Sequence, residues 1–279
     1  MKRTRLMKLA RLACLAAVVA GCPTPRPPAA HVQRVISLAP SSTEILYALG
    51  AGPLLVGVDQ YSDYPAAARA LPRVGNDLAP SVERILGLRP DVVFLATTAN
   101  SRDLAAELER LGVRVVISRT DSLDDLFADI TKIGAAIDRA AGAAALVATL
   151  RGRIAAVTAA VAQKPRPRAA VVVWPEPLTV AGGKSFVDEA IRAAGGDNIA
   201  ADSDQPYPQY SVERLVARAP EVIVVGSHNN DVSLAAIEAH RSLPAVKNHR
   251  LHRIDGDLVF RPGPRLVDGI EILAKLLHP

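Results

Sequence analysis

The residues of this chain that could carry covalent, metal or phosphate chemistry do not stand at the spacings such chemistry needs. Gly182-Gly183-Lys184-Ser185 follows a strand-like run and opens a helix-like one, the setting of a phosphate-cradling loop. That loop also needs a glycine five residues before its second glycine, and Leu178 stands there, so the segment reads as a loop-to-helix turn. No Gly-x-Ser-x-Gly elbow occurs. Among the six histidines, His249 and His252 lie at a turn into a strand-like run, with no carboxylate at metal-site spacing. His228 follows an apolar run ending at Val225, where a bound molecule could reach it. An envelope enzyme would have to pair Ser41 or Ser227 with His228, and no spacing supports that pairing.

The aromatic residues are more informative because there are so few: four Phe, five Tyr and one Trp. Tyr61 and Tyr64 share one polar, proline-bearing segment (Tyr-Ser-Asp-Tyr-Pro), and Tyr207 and Tyr210 share another (Pro-Tyr-Pro-Gln-Tyr). Neither segment looks like core. Trp174 ends an apolar run, and in α/β sheets the carboxyl ends of strands face the ligand crevice. Rings held on loops give large apolar contact at low entropy cost. Tyr61, Trp174 and Tyr207 are therefore the candidate ligand contacts, with loop anchoring as the alternative. Asp257 and Arg261 could offer opposite hydrogen-bonding groups to the polar rim of a ligand, or could pair with each other.

The formal charge is +5, from 33 Lys+Arg against 28 Asp+Glu, but Lys2, Arg3, Arg5, Lys8 and Arg11 supply all of it. The remainder balances at zero, which excludes the basic face a nucleic-acid binder needs. A basic start followed by the ten-residue apolar run Leu12–Gly21 is too short to span a bilayer and describes an export signal. Val19-Ala20-Gly21-Cys22 resembles a bacterial lipobox, which implies removal of residues 1–21 and lipidation of Cys22. An ordinary export signal with an incidental cysteine is the alternative. Cys14 leaves with the signal, so no internal disulfide is expected. Residues 22–33 are proline-rich and read as a semi-extended tether between a membrane and the folded body.

Elements that would position these residues follow from Arg34 onward. Apolar runs bounded by turn signals occur at 35–39, 54–58, 92–96, 113–117, 169–174, 222–225 and 251–254. Helical patterns fall between them, at about 43–50, 81–88, 101–111, 185–194, 211–218, 232–240 and 264–277. Alternation of buried strands with helices predicts two α/β lobes with parallel sheets, at 34–122 and 165–279. Between them, 123–164 is helical in pattern, with Asp138 as the expected cap of a long helix that starts near Arg139 and runs to Gln163. Ser81-Val82-Glu83-Arg84 and Ser211-Val212-Glu213-Arg214 open two similar segments, each with a proline and a buried strand behind it. Two lobes built on one plan explain that echo.

These features together resemble the extracytoplasmic solute-binding proteins of ABC importers that have a helical backbone between lobes, and among them the cobalamin-binding proteins. The residues carrying the likeness are Val35 to Glu44, Gly57-Val58, Tyr61 to Pro65, both Ser-Val-Glu-Arg segments, Gly195 to Ile199 and Pro262 to Arg265. The resemblance implies two Rossmann-like α/β lobes joined by one long helix, little hinge motion, no catalysis and no cofactor. It implies a monomer anchored in the periplasm or at the cell surface, with ABC permease subunits as partners. Tyr61, Tyr207, Asp257 and Arg261 would contact a corrinoid, and Glu83 and Glu213 would meet arginines on the permease. Asp77, Ala96 and Leu178 stand where this group is expected to carry further aromatics. Haem, an iron siderophore or a smaller aromatic solute therefore remain alternative ligands. Arg102, Arg119 and Arg261 lining the cleft together would favour the anionic siderophores.

Overall fold

A computed structural model describes residues 31–76, 79–98, 100–227 and 234–279. Cys22, the export signal, most of the tether, Asp77 and His228 lie outside the described residues.

The first sheet is built from β1 (Val35–Leu38), β2 (Leu55–Val58), β3 (Val92–Ala96) and β4 (Arg114–Ser118), in the order β2-β1-β3-β4. All of its pairings are parallel. Central β1 is buried along its whole length, so its sequence is continuously apolar apart from Ser37. Helices α1 (Pro40–Ala48), α2 (Val82–Gly87) and α3 (Ser101–Arg110) belong to this lobe. The second sheet holds β5 (Arg168–Pro175), β6 (Leu178–Val180), β7 (Asp197–Asn198), β8 (Val222–Ser227) and β9 (Leu251–Asp255). Its order is β6-β5-β8-β9, with β7 also on β5. Its helices are α6 (Phe186–Ala193), α7 (Val212–Arg218), α8 (Ala235–Glu238), α9 (Pro244–Lys247), α10 (Asp257–Phe260) and α11 (Leu266–Leu277).

One departure from a purely parallel plan is β6, which turns back antiparallel on the end of β5. Three residues are too few to show alternation in the sequence, so neither β6 nor the two-residue β7 was expected.

The linking segment is two helices, α4 (Leu123–Ala136) and α5 (Ala140–Val161). At 22 residues, α5 is about 33 Å long. Asp138 does not cap it, contrary to expectation. It takes φ +59° inside the reversal, and Arg139 is the boundary residue. The Arg139 N–H closes that turn on the Gly134 carbonyl at 2.7 Å. Gly134 is where the helices touch, because a Cβ there would stand 2.4 Å from that of Ala143.

One apolar core runs through both lobes and the linker. It joins Leu46 of α1, Phe94 of β3, Ile130 of α4, Leu150 of α5, Val171 of β5, Ile191 of α6 and Ile270 of α11. Each such side chain adds about 1.5–3 kcal/mol of burial, so parting the lobes at their base would expose many of them at once. Arg153 of α5 adds a clamp to α11, reaching Asp268 at 2.6 Å and Glu271 at 2.9 Å. Separate outer clusters pack the far face of each sheet.

Echoed segments in the two lobes match down to single bonds. Ser81 and Ser211 each accept the N–H three residues on, opening α2 and α7. Arg89 and Ala219, 130 residues apart, both take left-handed φ, at +47° and +46°. Asp91 then accepts the backbone N–H of Arg34 beside β1, and Glu221 that of Arg168 in β5, each at 2.9 Å.

Candidate functional site

Loops leaving the carboxyl ends of the strands carry the site, and the contacts between lobes on this side arise from them. The Tyr61–Pro65 loop follows β2 and is fastened from beneath by a chain of buried polar groups. Asp59, Ser62, Thr43 and Ser37 are all buried. The Thr43 hydroxyl lies 2.8 Å from that of Ser37 and 2.7 Å from that of Ser62, while Ser62 donates to Asp59. Asp59 also accepts the Tyr61 N–H at 3.2 Å. Arg73 donates 2.7 Å bonds to the carbonyls of both Asp59 and Ser62. Burial raises the Asp59 carboxyl above the ordinary aspartate range, and the bonds from Ser62 and the backbone only partly offset it. The loop is therefore rigid while its rings stay in solvent, Tyr61 at 53% exposure and Tyr64 at 45%.

The second lobe presents its rings on a β-hairpin and its neighbour. Trp174, 59% exposed, pairs with Thr179 across the turn between β5 and β6. The 205–210 segment runs along the other edge of β6. Tyr210 N–H bonds the Leu178 carbonyl, Val180 N–H that of Pro208, and Gly182 N–H that of Pro206. Tyr210 itself is core, which corrects the expectation for that pair: it is buried, donates to the Ile199 carbonyl at 3.2 Å, and lies under the Arg214 guanidinium. Tyr207 keeps 38% of its surface. Burial pushes its phenol up to about 12, and the Asp121 carboxylate, from the loop after β4 in the other lobe, adds to the rise.

Five charged groups cross the lobes beside these rings. Arg261 follows α10; its Nη1 donates to Asp63 of the tyrosine loop at 2.7 Å, and its Nε forms an ion pair with Asp257 at 2.9 Å. Asp257 and Arg261 thus pair with each other, and Arg261 also reaches Asp63 of the opposite lobe. Arg265 grips Glu44 of α1 in a two-pronged bond, at 2.9 and 2.6 Å, and its guanidinium carbon stands 3.8 Å above the Tyr64 ring. Burial raises the Glu44 carboxyl despite Arg265, and the pair raises the Arg265 guanidinium despite its burial. Burial also lifts Asp63, but the hydrogen bond and charge of Arg261 outweigh it and hold this carboxyl below its ordinary range. A Cβ on Gly263 would come within 3.2 Å of a Glu44 oxygen, so this glycine lets the two lobes meet. Glu44, Asp63, Asp121 and Arg265 were given no individual role in the sequence, where no local pattern links residues 221 apart.

The remaining candidates are dispersed. Glu83 and Glu213 are exposed in the first turns of α2 and α7, and backbone N–H and Ser211 bonds hold Glu213 below its ordinary range. Arg119 is exposed and bonded to Asp121 at 2.7 Å, and Arg102 is exposed on α3. Ala96 ends β3 and Leu178 packs on the outer core of the second sheet, so neither places a ring in the cleft. Ser227 is buried.

Residues 35–258 match the family described as periplasmic binding protein. The chain is 32% identical over 246 residues to the vitamin B12-binding protein of Vibrio vulnificus strain CMCP6, covering 87% of this chain and 89% of that one. It superposes on the crystal structure of the periplasmic vitamin B12 binding protein of Vibrio cholerae with a TM-score of 0.77, at 32% identity, over 88% of this chain and 96% of that one. On the periplasmic heme-binding protein of Roseiflexus sp. RS-1 in its apo form the TM-score is 0.80, at 28% identity, over 88% and 98%. Two lobes with largely parallel sheets joined through a long helix, and agreement over nearly the whole folded chain, lead to one assignment: this chain belongs to the periplasmic binding protein family.

Proposed function

We propose that this protein captures cobalamin between its lobes and passes it, chemically unchanged, to an ABC importer. The observation carrying this reading is the pairing of exposed rings with satisfied charges. Tyr61 and Tyr64 from one lobe, and Trp174 and Tyr207 from the other, offer apolar surface. The cations beside them, Arg261, Arg265 and Arg119, are already matched by carboxylates. A bulky chelate edged with neutral amides suits that surface. Anionic siderophores would need Arg102, Arg119 and Arg261 free and together, and two of the three are ion-paired. Tyr61, Trp174 and Tyr207 then cover the apolar part of the ligand, and Asp257 and Arg261 its polar edge. Glu83 and Glu213, exposed one on each lobe, orient docking on the permease, since exposed ion pairs steer association more than they add affinity. Cys22 carries the lipid anchor.

Calorimetric titration of the soluble domain starting after Cys22 with cyanocobalamin tests this. One-to-one binding, weakened about tenfold by Tyr61→Ala and by Tyr207→Ala, is expected from the loss of one ring's apolar contact. Absence of binding, or binding indifferent to both substitutions, would overturn it. Charge reversal at Glu83 and Glu213 should cut cobalamin uptake by cells far more than it changes affinity.

A further inference from the structure

Asp63 stands apart from the other members of the charged cluster. Glu44, with its side chain 3% exposed, and Asp257 are enclosed, whereas the Asp63 side chain is 45% exposed and sits between the two displayed tyrosines. It joins the ring-bearing loop to Arg261, whose guanidinium is also paired with Asp257, with Glu44 3.9 Å away. Arg265, the other guanidinium here, is occupied by Glu44 on two prongs. Glu44 and Asp257 flank the same guanidiniums, while Arg69 stands on the outer side of Asp63, bonding its carbonyl at 3.1 Å. A ligand carboxylate reaching for Arg261 would have to displace Asp63 and then stand against the carboxylates of Glu44, Asp257 and the displaced Asp63. An amide oxygen can accept from Arg261 without bringing a second negative charge.

We propose that Asp63 sets the charge selectivity of the cleft, occupying Arg261 so that a chelate with an uncharged edge is admitted and one bearing edge carboxylates is turned away. This rests on the assignment of the cleft as the ligand site and adds a residue that decides between its candidate ligands. Like-charge juxtaposition excludes wrong partners without any added contact to the right one.

Asp63→Asn tests it, because asparagine keeps the size and one acceptor oxygen for Arg261 while removing the charge and turning the other oxygen into an amide donor. Wild-type protein and variant are each titrated with haem, which has two carboxylates, with haem dimethyl ester, which has the same ring and none, and with cyanocobalamin. The variant should bind haem at least about tenfold more tightly, with the ester and cyanocobalamin changed by less than about threefold. Equal changes for haem and its ester, or no gain for haem (including no haem binding by either protein), would overturn the proposal. Thermal melting of the variant separates a charge effect from a folding defect. The cobalamin reading is judged independently: if the wild-type protein ignores cyanocobalamin, that reading fails, while a haem-specific gain in the variant would still establish the role of Asp63.

Discussion

Arg265→Ala is the substitution from which the structure predicts most. Its side chain makes two charge-assisted bonds to Glu44 and covers the Tyr64 ring, so truncation strands a carboxylate that is only 3% exposed. Breaking a buried pair from one side costs about 3–5 kcal/mol, because the remaining charge keeps its desolvation penalty without compensation. For a folded body of this size, 1 kcal/mol shifts Tm by about 2–4 °C, so a fall on the order of 10 °C is expected. The shared core predicts that both lobes melt together in one transition. Protonation offers Glu44 an escape. Burial already holds its carboxyl above the ordinary 4.5, and without the bonds and charge of Arg265 the more distant Arg261, at 3.9 Å, offsets less of it. The folded state then binds the proton more readily than the unfolded chain does. The variant's deficit should therefore shrink as pH falls from 7 toward 5 and grow as pH rises through the folded-state value. Replacing both partners, Glu44→Leu with Arg265→Met, should recover most of the loss. Urea unfolding at pH 7 and pH 5 measures all three. A cost below about 1 kcal/mol for Arg265→Ala, or a double variant no more stable than the single one, would refute the account of this pair as a buried, coupled contact.

Three further outcomes are expected. In an absorbance titration of the tyrosines, one phenol should ionise near 12; Tyr207→Phe should remove that step and Asp121→Asn should bring it to lower pH. Ala219→Gly should stabilise the fold by about 0.5–1 kcal/mol in urea, because φ +46° strains any residue with a Cβ; Arg89→Gly, its counterpart in the other lobe, should act alike. Gly134→Ala should cost about 1–3 kcal/mol, since its methyl would be forced against Ala143 where α4 and α5 cross; unchanged stability would show that the crossing can spread.

Much of the scaffold was legible along the chain. The seven long apolar runs became strands within a residue or two, and the central ones, β1, β3 and β8, are buried on both faces and so need continuous apolar sequence. The Ser-Val-Glu-Arg echo marked two equivalent capped helices, since capping depends on residues only three apart. Shorter elements were not legible: β6 and β7 depend on hydrogen bonds to β5, and no period can be read from two or three residues. Asp138 was misjudged because its side-chain chemistry suits a cap, whereas the crossing of α4 over α5 demanded a left-handed residue there. Tyr210 and Tyr207 show the same limit within one segment. Their local surroundings are alike, yet one ring is core and the other keeps 38% of its surface open.

Local sequence alone determined the long strands, the main helical segments and the two helices opened by Ser81 and Ser211, since each depends on neighbours a few residues away. Only the tertiary structure decided what the charged groups do. Arg261 meets Asp63 across 198 residues and Arg265 meets Glu44 across 221, and these partners converge because two sheets direct the carboxyl ends of their strands toward each other. An ion pair owes its strength to separation and burial in space, and the order of residues along the chain encodes neither.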